Sequence, residues 1–334
     1  MIKYNNADYK YASTVIRGNH KRLLSKEKVE KMLDSKTPED AIKVLHELNY
    51  ADGAEIFIDE YDKLLKQEQI SAFNMIKSVV PDERYLAVYS YPTDYHNAKT
   101  LLKAELLNID ANELLLENGA VETEVLKDAI HNRNLHKVRI DLANAIQKAL
   151  DTFATSQDPQ SIDLIMDRAA FADVQFVVSQ FENEFIKNYV AFLIDVANIK
   201  AFVRVKEMNK AWDFFSKIFI PGGKIQEKIF TNGYEEPYEQ FAEKLEVYGI
   251  SKILTEGMAM LKESGRFTDM EKMSDNMVLR YVQDGKYIAF GIENVIGYLV
   301  AKEMGIKNAR IILAGKLAGL SEDKIRERMR DTYV

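Results

Sequence analysis

No cysteine occurs in the 334 residues, which excludes disulfide frameworks, thiolate metal sites and cysteine nucleophiles and fits a reducing compartment. Glycine and proline are scarce, at 15 and 6, so few positions interrupt a long helix. A positive surplus is missing too. The net charge of −7 argues against general nucleic-acid binding, which needs a basic surface. The longest weakly charged stretch, Tyr287 to Ala301, is interrupted by Glu293 and Asn294. It falls short of the roughly 20 helical residues that span a bilayer. The opening residues, Met1-Ile2-Lys3-Tyr4-Asn5-Asn6, show no basic-then-apolar signal pattern. A soluble chain is expected, free to sit on a membrane complex without entering the bilayer.

Motifs that carry chemistry are equally thin. Gly315-Lys316 has Arg310 where a Walker loop needs glycine and Leu317 where it needs the Mg²⁺-binding hydroxyl. Pro221-Gly222-Gly223-Lys224 fails in the same way, with Ile218 before it and Ile225 after it. The histidines, His20, His46, His96, His131 and His136, form no His-Glu-x-x-His pair. Asp128 and His131 share a helix face as a lone pair, which reads as a surface contact. Neither Gly-x-Gly-x-x-Gly nor Gly-x-Ser-x-Gly occurs. The sequence therefore predicts no catalytic set, cofactor, metal or nucleotide.

What it does contain is helix. Hydrophobic residues make up 47% and charged residues 29%, an ordinary globular composition. Ser25 is placed to cap a short amphipathic helix over 26–33. Thr37-Pro38-Glu39-Asp40 supplies a cap, a proline for the first helical position and acids for the first turn of a helix reaching about Asn49. Long 3.6-residue periodicity covers 54–80, 138–155 and 161–199. Tyr85 to Tyr91, just before Pro92, is the weakest helical stretch and suits an extended chain as well. The fold class predicted is all-α.

The helices repeat. Asp94 to Lys99, Asp195 to Lys200 and Gly291 to Ile296 align on Asn97, Asn198 and Asn294, spaced 101 and 96 residues apart. Lys-Glu-Met recurs downstream of the second and third asparagines, as Lys206 to Met208 and Lys302 to Met304. In the third copy Ile292, Val295, Ile296, Leu299, Val300 and Met304 form one apolar stripe. Glycines at Gly119, Gly222-Gly223 and Gly319 lead into short amphipathic helices, and Ser25 to Leu33 resembles a fourth such helix. On this alignment Val29, Val125, Ile229 and Ile325 are equivalent, and the first and last short helices are expected to lie close together. Mid-helix asparagines usually satisfy a backbone group in a tight corner.

Charge marks the candidate binding residues. Lys99 and Lys103 in the first copy align with Lys200 and Arg204 in the second, each pair on one helix face. In the third copy those positions are Ile296 and Val300. These four cations are the candidates for contact with an acidic partner; solvated surface lysines are the plainer reading. From Lys302 to Val334 there are eight basic residues against five acidic ones, about +3, leaving the rest near −10. That segment is either a solvated basic face or a second docking surface.

The stretch Phe290 to Glu303, continuing through Ile306-Lys307-Asn308-Ala309-Arg310-Ile311-Ile312-Leu313-Ala314-Gly315-Lys316, resembles the C-terminal signature of the C-subunit family of V-type and A-type ATPases (ATP synthases), to which the d subunit of the eukaryotic vacuolar ATPase belongs. The ending Ile325 to Val334 and the Asp-x-x-Asn-x-Lys helices at Asp94 and Asp195 are similar to that family as well. The resemblance implies a funnel of three similar helical domains arranged pseudo-threefold, here 1–116, 117–216 and 217–334. It implies a non-catalytic central-stalk part that joins the rotor axle to the membrane rotor ring, on the cytoplasmic face, and transmits torque for ion transport. The ion moved, proton or sodium, is set by ligands in the ring rather than by this chain. The alternative reading is a helical-repeat adaptor that holds a peptide or helix in a central groove.

Overall fold

Caps start the helices where short polar side chains permit it. The computed structural model describes residues 3–54 and 56–334. Along the chain, α1 spans Lys10–Asn19, α2 Lys26–Asp34, α3 Pro38–Glu47 and α4 Tyr61–Val79. Then come α5 Ala87–Leu107, α6 Thr123–His131, α7 Ile140–Ser156, α8 Gln160–Ser179 and α9 Glu184–Glu207. These are followed by α10 Trp212–Ile218, α11 Glu227–Gly233, α12 Tyr238–Leu245, α13 Lys252–Ser264 and α14 Phe267–Gln283. Last are α15 Ile292–Leu317 and α16 Glu322–Arg326. Helix accounts for 76% of the chain, with no strand among the described residues, so the predicted all-α class holds. Ser25 caps α2 by accepting from the Lys28 amide at 3.4 Å. Thr37 caps α3 through the Asp40 amide at 3.1 Å, with Pro38 opening the helix where no amide bond is lost.

Contacts divide the chain into two compact units. One contains Asp82–Tyr234 and the other joins Tyr4–Pro81 to Glu235–Val334. In the first, α5 and α7 pack against α8 around Tyr95, Leu102, Leu126, Ile146 and Met166. The end of α9 carries Phe202 into a second cluster with Phe215, Phe230 and Tyr234, whose centroids lie 5.5–5.6 Å from its own. In the second unit, α2, α3 and α4 pack on α15 through Val29, Leu45, Leu65 and Ile312, joining residues from opposite ends of the chain. The apolar stripe read on α15 is buried throughout, with Ile292, Val295 and Ile296 at 0% exposure. At roughly 1.5–3 kcal/mol for each fully buried aliphatic side chain, that stripe is enough to hold the helix in place.

Three boundaries differ from those the sequence predicts, each for a packing reason. The pattern over 54–80 becomes α-helix only at Tyr61. Before it, Asn49, Ala51, Asp52 and Gly53 turn through positive φ, and the Ala51 amide is held by the Glu68 carboxylate at 2.8 Å. The pattern over 161–199 is two helices, because Asn183 restarts the chain by accepting from the Ile186 amide at 3.0 Å. Tyr85 to Tyr91 is helical through Pro92: Tyr85 stacks on Phe181 with centroids 4.0 Å apart, and Leu86 and Ala87 are buried. Tertiary packing outweighs the single backbone bond that proline forfeits.

Candidate functional site

Each of the three longest buried helices holds a downstream loop with one asparagine, in a two-bond clamp. Asn97 on α5 donates to the Leu116 carbonyl at 2.7 Å and accepts from the Leu116 amide at 2.8 Å. Asn198 on α9 treats Ile220 identically, at 2.8 and 2.9 Å. Asn308 on α15 treats Arg330 the same way, at 3.0 and 2.8 Å. The clamped residue lies 22 positions downstream in the last two cases and 19 in the first. A carboxylate one turn before the asparagine adds a second grip. Asp94 accepts from the Val121 amide at 3.0 Å, and Asp195 accepts from Lys224 and Ile225, both at 3.0 Å. Burial pushes both carboxyls above the usual carboxylate range, and the backbone donors pull them back. Gly119 and Gly223 are required for this grip, since a Cβ on either would run into the carboxylate.

Asn294 is therefore not the third member of the set. Its amide donates upstream, to the Ile288 carbonyl at 2.8 Å, and approaches Ser13 Oγ at 3.4 Å. In the third clamp the carboxylate position is Gly305, and Leu24 packs where the carboxylate would stand, 3.2 Å from an added Cβ. Leu24 is two residues before α2, as Val121 is before α6 and Ile225 before α11. The register continues inside these helices: the fourth residue is Val29, Leu126 or Phe230, at 2%, 0% and 0% exposure. Val125 and Ile229 are only half-buried, one position off that register. The helix completing the third copy is thus α2, and the Lys26 amide donates to the Val334 carbonyl at 3.0 Å. The first and last short helices do meet, with Arg326 on α16 2.7 Å from Glu30 on α2.

The four candidate cations divide. Lys99 Nζ lies 2.8 Å from Asp167 and Lys103 Nζ 2.5 Å from Asp163, both acids on α8. Lys200 and Arg204 lie on α9, the first half-buried and the second exposed, and both have partners within the fold. Much of the basic C-terminal stretch is also neutralised internally. Lys302 is buried against Glu68, Lys307 lies 3.0 Å from Asp275, and Arg310 lies 2.9 Å from Asp62. Apolar residues that no sequence motif singles out are exposed at the ends of these helices. Leu107, Met208 and Leu317, at or just past the last residue of α5, α9 and α15, are 58%, 52% and 50% exposed. Leu106, Ile109, Leu114 and Leu116 are exposed beside the first of them. The exposed apolar group beside Leu107 has the character of interaction surface rather than core.

The clamps give a direct comparison. Asn308→Ala is expected to destabilise the fold by about 2 kcal/mol, because two backbone groups lose their partner at once. Asn294→Ala is expected to lose about half as much, since one strong bond goes. Urea titration of both variants checks this; an Asn308→Ala variant as stable as wild type would remove the clamp assignment.

The described residues contain no group of three or more His, Cys, Asp or Glu placed to hold a metal ion, and no helix long and apolar enough to cross a membrane. Fold and clamps together define an all-helical repeat protein whose buried asparagines hold backbone. The chain belongs to the ATP synthase (C/AC39) subunit family, which it matches over residues 12–328. It is 26% identical over 331 residues to the C subunit of the V-type sodium ATPase of Enterococcus hirae, covering 98% of this chain and 99% of that one. The C subunit of the A-type ATP synthase of Methanocaldococcus jannaschii is 23% identical over 348 residues, covering 96% and 86%. That of Halobacterium salinarum is 23% identical over 350 residues, covering 97% of each. The family places the chain among the structural, non-catalytic subunits of V-type and A-type rotary ATPases.

Proposed function

We propose that this chain is the central-stalk coupling subunit of its ATPase, joining the rotor axle to the membrane rotor ring and passing torque between them. Three domain-sized copies, close to 1–116, 117–216 and 217–334, form a funnel whose mouth takes the axle tip, on the cytoplasmic face. The carrying observation is the threefold recurrence of the long helix with its asparagine clamp, in a chain of this family. A torque-bearing part must resist shear. Clamped, close-packed helices do so, because each loop is fixed to a helix by two bonds rather than by the chain alone. The exposed apolar helix ends at Leu107, Met208 and Leu317 suit attachment to the loops of a ring, and the cations of α9 suit an acidic axle.

Charge reversal tests the axle contact. Lys200→Glu with Arg204→Glu is expected to weaken axle binding at least about tenfold and to uncouple ATP-driven ion transport, with helix content unchanged. Unchanged assembly and transport in the double variant would remove these residues from the contact. Co-purification separates the reading from a general helical adaptor, which would not bring a rotor ring and axle subunits with it.

A further inference from the structure

In the unit formed by Tyr4–Pro81 and Glu235–Val334, a cleft of about 470 Å³ opens between the start of α2, one face of α14 and the residues after α16. Lys26, Lys272, Arg280, Arg326 and Arg330 line it, together with the carboxylates of Glu30 and Asp331. Two of the cations are held closely: Arg326 lies 2.7 Å from Glu30, and Arg330 lies 2.9 Å from Asp275 behind the cleft wall. Arg280 reaches Asp331 only at 3.4 Å, in an exposed pair. Neither ammonium group stands in a close ion pair among the described residues, although Asp331, Asp269 and Glu327 attract Lys272 and Glu30 attracts Lys26 through space. Lys272 donates to the neutral Glu327 carbonyl at 2.7 Å, and Lys26 on the rim is exposed. Burial pushes the Lys272 amine below its usual range, against the pull of Asp331, Asp269 and Glu327.

We propose that this cleft binds a compact polyphosphate anion, the di- or triphosphate part of a small molecule, held by Lys26, Lys272 and Arg280. Five cations line the cleft against two carboxylates, and the two ammonium groups outside close ion pairs, with the loosely held guanidinium, match two to three negative charges; phosphate oxygens accept from both kinds of donor. The concave shape and volume suit a small ligand, for which pockets of about 300–1,000 Å³ are usual, rather than the flatter face of a protein. Recognition here runs through side chains on three segments, so it needs no glycine-rich loop. A bound anion would tie α2 to α14 and the final residues, beside the Lys26–Val334 backbone bond.

Calorimetric titration of the full chain with tripolyphosphate at physiological ionic strength tests this. The expected result is one saturable site, weakened about tenfold by Lys26→Ala and by Arg280→Ala and unaffected by Lys210→Ala. Lys26 and Arg280 are exposed, so both variants are expected to fold as wild type does by circular dichroism. Pyrophosphate and ATP in the same assay separate sources: ATP binding no tighter than tripolyphosphate means the phosphates alone are recognised, and tighter ATP binding means the cleft also contacts its organic part. No saturable binding, equal binding of sulfate, unchanged affinity in both variants, or preference for a polyglutamate peptide would overturn the proposal.

Discussion

Replacing Lys302 with methionine is expected to destabilise its unit by about 3–5 kcal/mol, because it leaves a buried carboxylate without its nearest cation. Lys302 is 2% exposed and Glu68 1%, and Nζ lies 2.6 Å from Oε1. The ammonium also donates to the Arg22 carbonyl at 2.9 Å and stands 4.5 Å over the Tyr50 ring. Glu68 in turn accepts from Arg22 at 3.1 Å and from the Ala51 amide at 2.8 Å, in the turn where Asn49, Ala51 and Asp52 have φ of 57°, 51° and 54°. Non-glycine residues in that region cost on the order of 1 kcal/mol each, so the turn persists only while its surroundings hold it. The substitution is expected to raise amide hydrogen exchange first in residues 49–54 and then along α4. The double variant Lys302→Met/Glu68→Leu is expected to be more stable than the sum of its single changes, since neither charge is then stranded. A loss under about 1 kcal/mol in Lys302→Met would show that water or Arg22 already neutralises Glu68.

Much of the fold was legible because helix signals are local. Ser25, Thr37 and Pro38 announce their helices by chemistry that acts within one turn, and the structure places α2 and α3 where those residues direct. The break between α8 and α9 is not legible in the sequence because it contains no glycine or proline, only the capping Asn183, and apolar periodicity continues across it. The positive-φ turn at 49–53 was invisible for a different reason. What stabilises it is Glu68, far enough along the chain that no local pattern links the two. Helices α12 to α14 carry clear amphipathic faces but lie outside the repeat, so no recurring motif announces them.

The displacement of the third asparagine from Asn294 to Asn308 has a cause in the sequence itself. Helix α15 carries two asparagines 14 residues apart, four turns along the same face. The Lys-Glu-Met triplet favoured the first, while the clamp uses the second. The signal that distinguishes them is Asn308-Ala309-Arg310, which repeats Asn97-Ala98-Lys99 and Asn198-Ile199-Lys200. Gly305 hid it by replacing the aspartate that precedes the other two asparagines, because there Leu24 arrives from the other end of the chain. The ion pairs of Lys99 and Lys103 with Asp167 and Asp163 depend on how α8 packs against α5, which no spacing in the sequence specifies.

Arg139→Met is expected to be as damaging to the other unit, with an effect that depends on pH. Arg139 lies 2.6 Å from Asp94 and 3.1 Å from Asp173, whose side chains are 0% and 3% exposed. Tyr95 donates to Asp173 at 3.2 Å, and the guanidinium lies 3.5 Å from the Tyr91 ring centroid. Burial pushes both carboxyls above their ordinary 3.8, and Arg139 works against that shift. With folded values above the unfolded one, the folded state binds more protons as soon as pH exceeds 3.8. Stability from these groups therefore falls as pH rises through that window and levels above the folded values. Removing the cation pushes the folded values higher still, widening the window. The variant is expected to lose about 3–5 kcal/mol near neutral pH and much less at about pH 4.5, where the stranded carboxyls take up protons. Trp212, the single tryptophan, lies in this unit, so its fluorescence in urea follows the relevant transition. A wild-type-to-variant gap that stays constant between those pH values would mean that Asp94 and Asp173 remain ionised without Arg139, and that their backbone and tyrosine donors suffice to keep them so.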